Sequence, residues 1–100
     1  MIFAILLMDR PGTADLRVKI RPEHRAYLAT LADRMAFAGP LTSEDGKTVV
    51  GSLLAIDFPS RAAVDEWLKN EPFTKAGVYE KPVIHVFENM WVQKVGFPPA

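Results

Sequence analysis

The chain opens with a run in which every position from Ile2 to Met8 is apolar. A run this short, without polar alternation, predicts a strand buried on both faces. Asp9-Arg10-Pro11-Gly12-Thr13 ends it, and residues 9 to about 20 read as a loop. Pro22 suits the first position of a helix, where its missing N–H costs nothing, so a helix is predicted from Pro22 to about Ala36, with Gly39-Pro40 stopping it. At about 100° per residue, His24, Leu28, Leu31 and Met35 share one face of that helix. In this reading Arg21-Pro22-Glu23-His24 forms the first turn, with the imidazole at the mouth of an apolar stripe. A short strand is expected around Ala38 to Ser43. Asp45-Gly46 then turns the chain into a second apolar strand, Thr48 to Phe58, in which Gly51 marks a bulge or a close backbone approach. Ser60 caps a second helix whose buried stripe is Val64, Trp67 and Leu68, interrupted at Glu71-Pro72. Phe73 to Tyr79 reads as a turn and Val83 to Phe87 as a core strand. Met90 to Val95 reads as one more strand before the stiff Phe97-Pro98-Pro99 tail.

The order β-α-β-β-α-β is the split βαβ arrangement, an α+β ferredoxin-like fold with an antiparallel four-stranded sheet and both helices on one face. The other face should then alternate to polar residues if it met water. It does not: the first strand is apolar throughout, and Leu53 to Ile56 is apolar too. A second copy packed sheet to sheet, as a dimeric α/β barrel, is the simplest way to cover such a face. A homodimer through the sheet faces is therefore expected.

Composition narrows the rest. One hundred residues, 49% hydrophobic and 24% charged, suit a single globular domain spanning residues 1–100. Twelve basic and twelve acidic side chains cancel, which leaves no electrostatic footprint for nucleic acid or an anionic membrane. The N-terminal apolar run is too short for a bilayer span and no basic segment precedes it. The lack of cysteine excludes disulfides, zinc–thiolate sites and thiol catalysis, and fits a cytoplasmic protein. No Gly-rich phosphate loop, nucleotide fingerprint or Gly-x-Ser-x-Gly elbow is present, and His24 and His85 do not have metal-ligand spacing. No cofactor and no metal are expected. What remains for chemistry is His24, the carboxylates Asp9 and Glu71 at the ends of elements, and the guanidinium groups of Arg10 and Arg21. His24 reads either as a satisfied core histidine or as the working group of a pocket. His85, in the last core strand, reads as a sheet-face or interface residue.

Several short motifs occur in order along nearly the whole chain: a strand ending in Asp9, Arg-Pro-x-His at Arg21 to His24, Ala38-Gly39-Pro40, then Glu71-Pro72-Phe73 and Ala76-Gly77-Val78-Tyr79. In these it resembles the YciI-like (YCII-related) family of small dimeric α/β-barrel proteins. The resemblance implies a pocket with a His–Asp dyad. The histidine falls on His24, and the family's Asp-Pro-Phe falls on Glu71-Pro72-Phe73, one methylene longer with the charge kept. Asp9 matches the family pattern at the end of the first strand and is the other candidate carboxylate. Relatives so implied include a dehydrochlorinase acting on a chlorinated hydroxyquinone. Two function classes stand at this point. One is a cofactor-independent isomerase or lyase in which His24, with Glu71 or Asp9, carries a proton and Arg21 or Arg10 holds an anionic group of a small organic molecule. The other is a non-catalytic module that binds a small molecule in the same pocket.

Overall fold

The computed structural model describes residues 1–99. Four strands, β1 (Ile2–Met8), β2 (Met35–Thr42), β3 (Val49–Asp57) and β4 (Val83–Phe87), form one antiparallel sheet in the order β2-β3-β1-β4. Three helices accompany it: α1 (Ala14–Ala29), α2 (Arg61–Lys69) and α3 (Pro72–Ala76). The ferredoxin-like α+β arrangement expected from the element order is the fold. No helix among the described residues is long and apolar enough to cross a membrane.

Period-two geometry splits β1 between two surroundings. Phe3, Ile5 and Leu7 are buried beneath the helices together with Leu54, Ile56, Val64, Phe73 and Ile84. Ile2, Ala4, Leu6 and Met8 point to the opposite face, in register with Asp57, Ala55, Leu53 and Gly51 of β3 and, for the first three, with Phe87, His85 and Val83 of β4. That open face carries half-exposed Val83 and Phe87. His85 lies on it, opposite Ala4.

The first helix differs most from expectation. It starts eight residues before Pro22, so most of residues 9 to 20 is helix rather than loop, and His24 lies well inside α1 rather than in its first turn. Leu16 and Ile20 explain the difference. Spaced four apart and continuing to His24 and Leu28, they extend the stripe packed on the core back towards Thr13. Pro22 withdraws one backbone donor from the exposed side of the helix, a cost of roughly 3 kcal/mol that packing of the buried side offsets. The C-terminal end also comes early. The helix stops at Ala29, a 3-10 turn spans Ala32–Arg34, and Met35 already belongs to β2.

Two other segments depart from their predictions. Phe73 to Tyr79 is not merely a turn, because Pro72–Ala76 is a helix with Glu71 as its N-cap, Pro72 in its first turn and Gly77 closing it at φ 82°. Met90 to Val95 is not a strand. It has no ladder partner among the described residues, and Met90, Trp91, Val92 and Val95 are largely exposed. Beyond it, Phe97 comes back to Phe37 of β2, with ring centroids 5.6 Å apart.

Gly51 marks a close approach. A Cβ there would lie 2.6 Å from the Leu7 carbonyl oxygen, well inside van der Waals contact with rigid backbone. Gly51→Ala is expected to lower the unfolding free energy by roughly 1–3 kcal/mol, the range for overpacked sites. Urea denaturation reads this directly, and an unchanged midpoint would show that β1 and β3 have slack at this point.

Candidate active site

His24 and Glu71 come from α1 and from the start of α3, elements that pack on each other. Nδ1 of His24 stands 2.5 Å from Oε1 of Glu71, and the Glu71 side chain is entirely buried. The other carboxylate oxygen, Oε2, accepts the Thr74 backbone N–H at 3.0 Å and the Thr74 hydroxyl at 3.2 Å. A residue that caps α3 on one side therefore grips the imidazole on the other. A carboxylate can only accept, so Nδ1 carries the proton in this arrangement and Nε2 is the bare nitrogen of the neutral ring. Phe73 lies flat against the imidazole, centroids 3.9 Å apart and 15° from parallel, and fixes the ring plane.

A cavity of about 560 Å³ opens beside His24, between α1 and the helix-facing sides of β2 and β3. Arg17, Arg21 and Arg25 line it from α1, Ser52 and Leu54 from β3, and Ala38, Gly39 and Pro40 from β2. His24 is itself part of the lining, and Nε2 has no hydrogen-bond partner among the described residues.

The second carboxylate belongs elsewhere. Asp9 does not reach His24; it takes Nε and Nη2 of Arg17 at 2.8 and 3.3 Å, a two-pronged ion pair nearly shielded from solvent. Arg17 Nη2 also donates to the Gly51 carbonyl at 3.2 Å and to Ser52 Oγ at 2.9 Å, and the guanidinium sits over the Phe73 ring, 4.7 Å from its centroid. Ser52 Oγ in turn lies 2.9 Å from the Tyr79 hydroxyl. Burial pushes the Tyr79 phenol well above its ordinary value, against a smaller downward pull from Ser52, so it stays protonated.

Of the residues singled out from sequence, the fold brings His24 and Glu71 together and puts Arg21 on the cavity wall. Arg10 is not there: its Nε donates to the Tyr79 carbonyl at 2.8 Å and ties the end of β1 to the chain after α3. Arg17, Arg25 and Ser52 escaped sequence reasoning. The first two sit four residues before and after Arg21 on one helix face, a pattern visible only once the helix is started at Ala14.

With this geometry in place, comparison with known proteins decides the family. The YCII-related domain family matches residues 1–88. The chain belongs to that family. Protein YciI of Escherichia coli O6:H1 is 30% identical over 98 residues, covering 91% of this chain and all of the relative. Among solved structures, 5-chloro-2-hydroxyhydroquinone dehydrochlorinase (TftG) of Burkholderia phenoliruptrix, in complex with 2,5-dihydroxybenzoquinone, superposes with a TM-score of 0.83 at 32% identity, over 90% of this chain and 96% of the other. An antibiotic biosynthesis monooxygenase at 13% identity and a TM-score of 0.55, covering 90% of this chain and 99% of its own, shares the fold alone.

Proposed function

We propose that this YCII-related protein is a cofactor-independent enzyme in which His24 transfers a proton on a small carbonyl-bearing molecule, in an elimination or isomerisation of the dehydrochlorinase type. One observation carries the reading. A fully buried carboxylate holds Nδ1 of an imidazole whose other nitrogen has no partner among the described residues, and that imidazole lines a cavity. This pairing suits general acid–base catalysis, because Glu71 orients the ring, fixes its tautomer and stabilises the imidazolium formed when Nε2 takes a proton. An elimination on a chlorinated hydroquinone starts from the keto tautomer, whose chlorine-bearing carbon is tetrahedral. Nε2 takes the proton of the hydroxyl para to the keto carbonyl; the O–H pair forms the second carbonyl, the ring double bond shifts, and chloride departs with the carbon–chlorine pair. In an isomerisation Nε2 takes a proton from the carbon next to a carbonyl, and the imidazolium returns it to a conjugated carbon. The likeness to the dehydrochlorinase supports the elimination as the reaction to try first.

Chloride release from 5-chloro-2-hydroxyhydroquinone tests this. His24→Asn, confirmed as folded by circular dichroism, is expected to lose roughly 10²-fold or more of the rate, the usual contribution of a positioned acid–base group. Glu71→Gln, which can still cap α3, is expected to lose rate while leaving ligand binding in place. Wild-type protein that binds the compound without turning it over supports a binding module instead, and an unimpaired His24→Asn variant removes His24 from the mechanism.

We also read the open sheet face as the seat of a second copy of the chain, forming a dimeric α/β barrel. Half-exposed Val83 and Phe87 lie on it beside Ile2 and Leu6, an apolar surface of the kind that a self-complementary interface covers. Sedimentation equilibrium at micromolar concentration is expected to give twice the chain mass, and Val83→Glu to shift it towards one copy. A wild-type monomer at that concentration rules the pairing out.

A further inference from the structure

Proton bookkeeping around Ser52 shows a donor that the folded chain leaves unused. Arg17 Nη2 can only donate, and it donates to Ser52 Oγ. Either hydroxyl can donate in the Ser52–Tyr79 contact, but Tyr79 is buried off the cavity with no other acceptor among the described residues, whereas Ser52 lines the cavity, so donation from Tyr79 to Ser52 Oγ leaves the spare proton where a ligand can accept it. Both lone pairs of Ser52 Oγ are then engaged, and its own proton has no acceptor among the described residues. Ser52 is buried, yet it lines the cavity beside His24. Two incoming donors, one of them cationic, polarise that O–H and make it a stronger donor towards the cavity.

The charge on the cavity wall has one sign. Asp9 compensates Arg17, but Arg21 and Arg25 make no ion pair among the described residues, and no Asp or Glu lines the cavity. Leu28, Pro40 and Leu54 supply an apolar surface for the body of a ligand. An apolar slot with a free hydroxyl donor inside and two uncompensated guanidinium groups selects for negative charge on a compact organic frame.

We propose that the cavity takes its substrate as an organic anion, an enolate or phenolate, with the anionic oxygen on the Ser52 hydroxyl and its charge countered by Arg21 and Arg25. This rests on the reading of the cavity as the substrate site and adds to it a substrate class and two residues, Ser52 and Arg25. It also accounts for where charge goes in the chemistry. In an isomerisation, removing a proton next to a carbonyl places negative charge on the carbonyl oxygen, and a preorganised donor there stabilises it without rearrangement.

Isothermal titration calorimetry of the full chain with two probes tests the proposal: 2,5-dihydroxybenzoquinone, which ionises readily, and 2,5-dimethoxy-1,4-benzoquinone, its neutral ether. At neutral pH the ionised probe is expected to bind at least roughly tenfold more tightly than the ether, in line with hydrogen bonds to charged groups. The double variant Arg21→Gln, Arg25→Gln changes only exposed side chains, so its fold is secure. It is expected to remove most of that preference and most of the salt dependence while leaving the ether unaffected. Ser52→Ala, checked for fold by circular dichroism, is expected to weaken the anion selectively. Equal binding of the two probes, binding of neither, or an unchanged preference in the arginine double variant overturns the proposal. Its failure is separable from that of the dyad. Selective anion binding without any turnover sinks the enzyme reading and leaves this one standing, whereas turnover with equal affinity for anion and ether does the reverse.

Discussion

A carboxylate buried out of reach of water has to be matched by donors, and Glu71 is matched by three: the His24 ring and the backbone and hydroxyl of Thr74. Leaving any of them out uncovers part of a buried polar group at a cost on the order of 1–3 kcal/mol. The geometry of the site follows from meeting that constraint. One oxygen of Glu71 must serve the first turn of α3, which fixes where the carboxylate points, and the other then presents a single direction along which a donor can approach. His24 supplies that donor from the interior of α1, and Phe73, two residues beyond Glu71, presses on the ring plane. The nitrogen left over is the one available to the cavity.

A second polar system keeps this arrangement in register. Asp9 at the end of β1, Arg17 on α1, Ser52 on β3 and Tyr79 after α3 are linked by consecutive hydrogen bonds across four separate parts of the chain. Arg17 also sits over Phe73, so the same aromatic ring meets a cation and the imidazole. Buried networks of this kind are stabilising only when every member is satisfied, and among the described residues the Ser52–Tyr79 pair of hydroxyls has one proton more than it has acceptors. A fold that commits Asp9 to Arg17 therefore gives the two carboxylates different work: Glu71 holds the imidazole, and Asp9 holds the guanidinium that loads Ser52.

The sheet and its helices were legible in the sequence because period-two and period-3.6 patterns are written in apolar residues. Ile2 to Met8, the Asp45-Gly46 turn, the Ser60 cap and Val83 to Phe87 all lie where those patterns put them. What misled was Pro22, which reads as a helix start by its local chemistry; the long stripe of Leu16, Ile20 and His24 overrides that preference through tertiary packing. Starting α1 too late hid Arg17 and placed His24 at a helix end that does not exist. The tail shows the opposite error, since Met90 to Val95 has strand composition but no strand to pair with among the described residues. At the site, the Glu71-Pro72 boundary pointed, through family resemblance, to one of the two carboxylates as a neighbour of His24, whereas which of Glu71 and Asp9 meets the imidazole depends on a contact 47 residues apart in the chain, which no local pattern encodes.

Everything at the site turns on which imidazole nitrogen Glu71 holds. Long-range ¹H–¹⁵N correlation NMR on labelled protein, with the ring signals assigned by comparison with His24→Asn, reads the tautomer of the neutral ring directly. The expected spectrum shows His24 protonated at Nδ1 and bare at Nε2, with the Nδ1 proton lost from that position in Glu71→Ala. A neutral ring protonated at Nε2 and bare at Nδ1 would contradict the assignment of Glu71 as the residue that orients His24 towards the cavity.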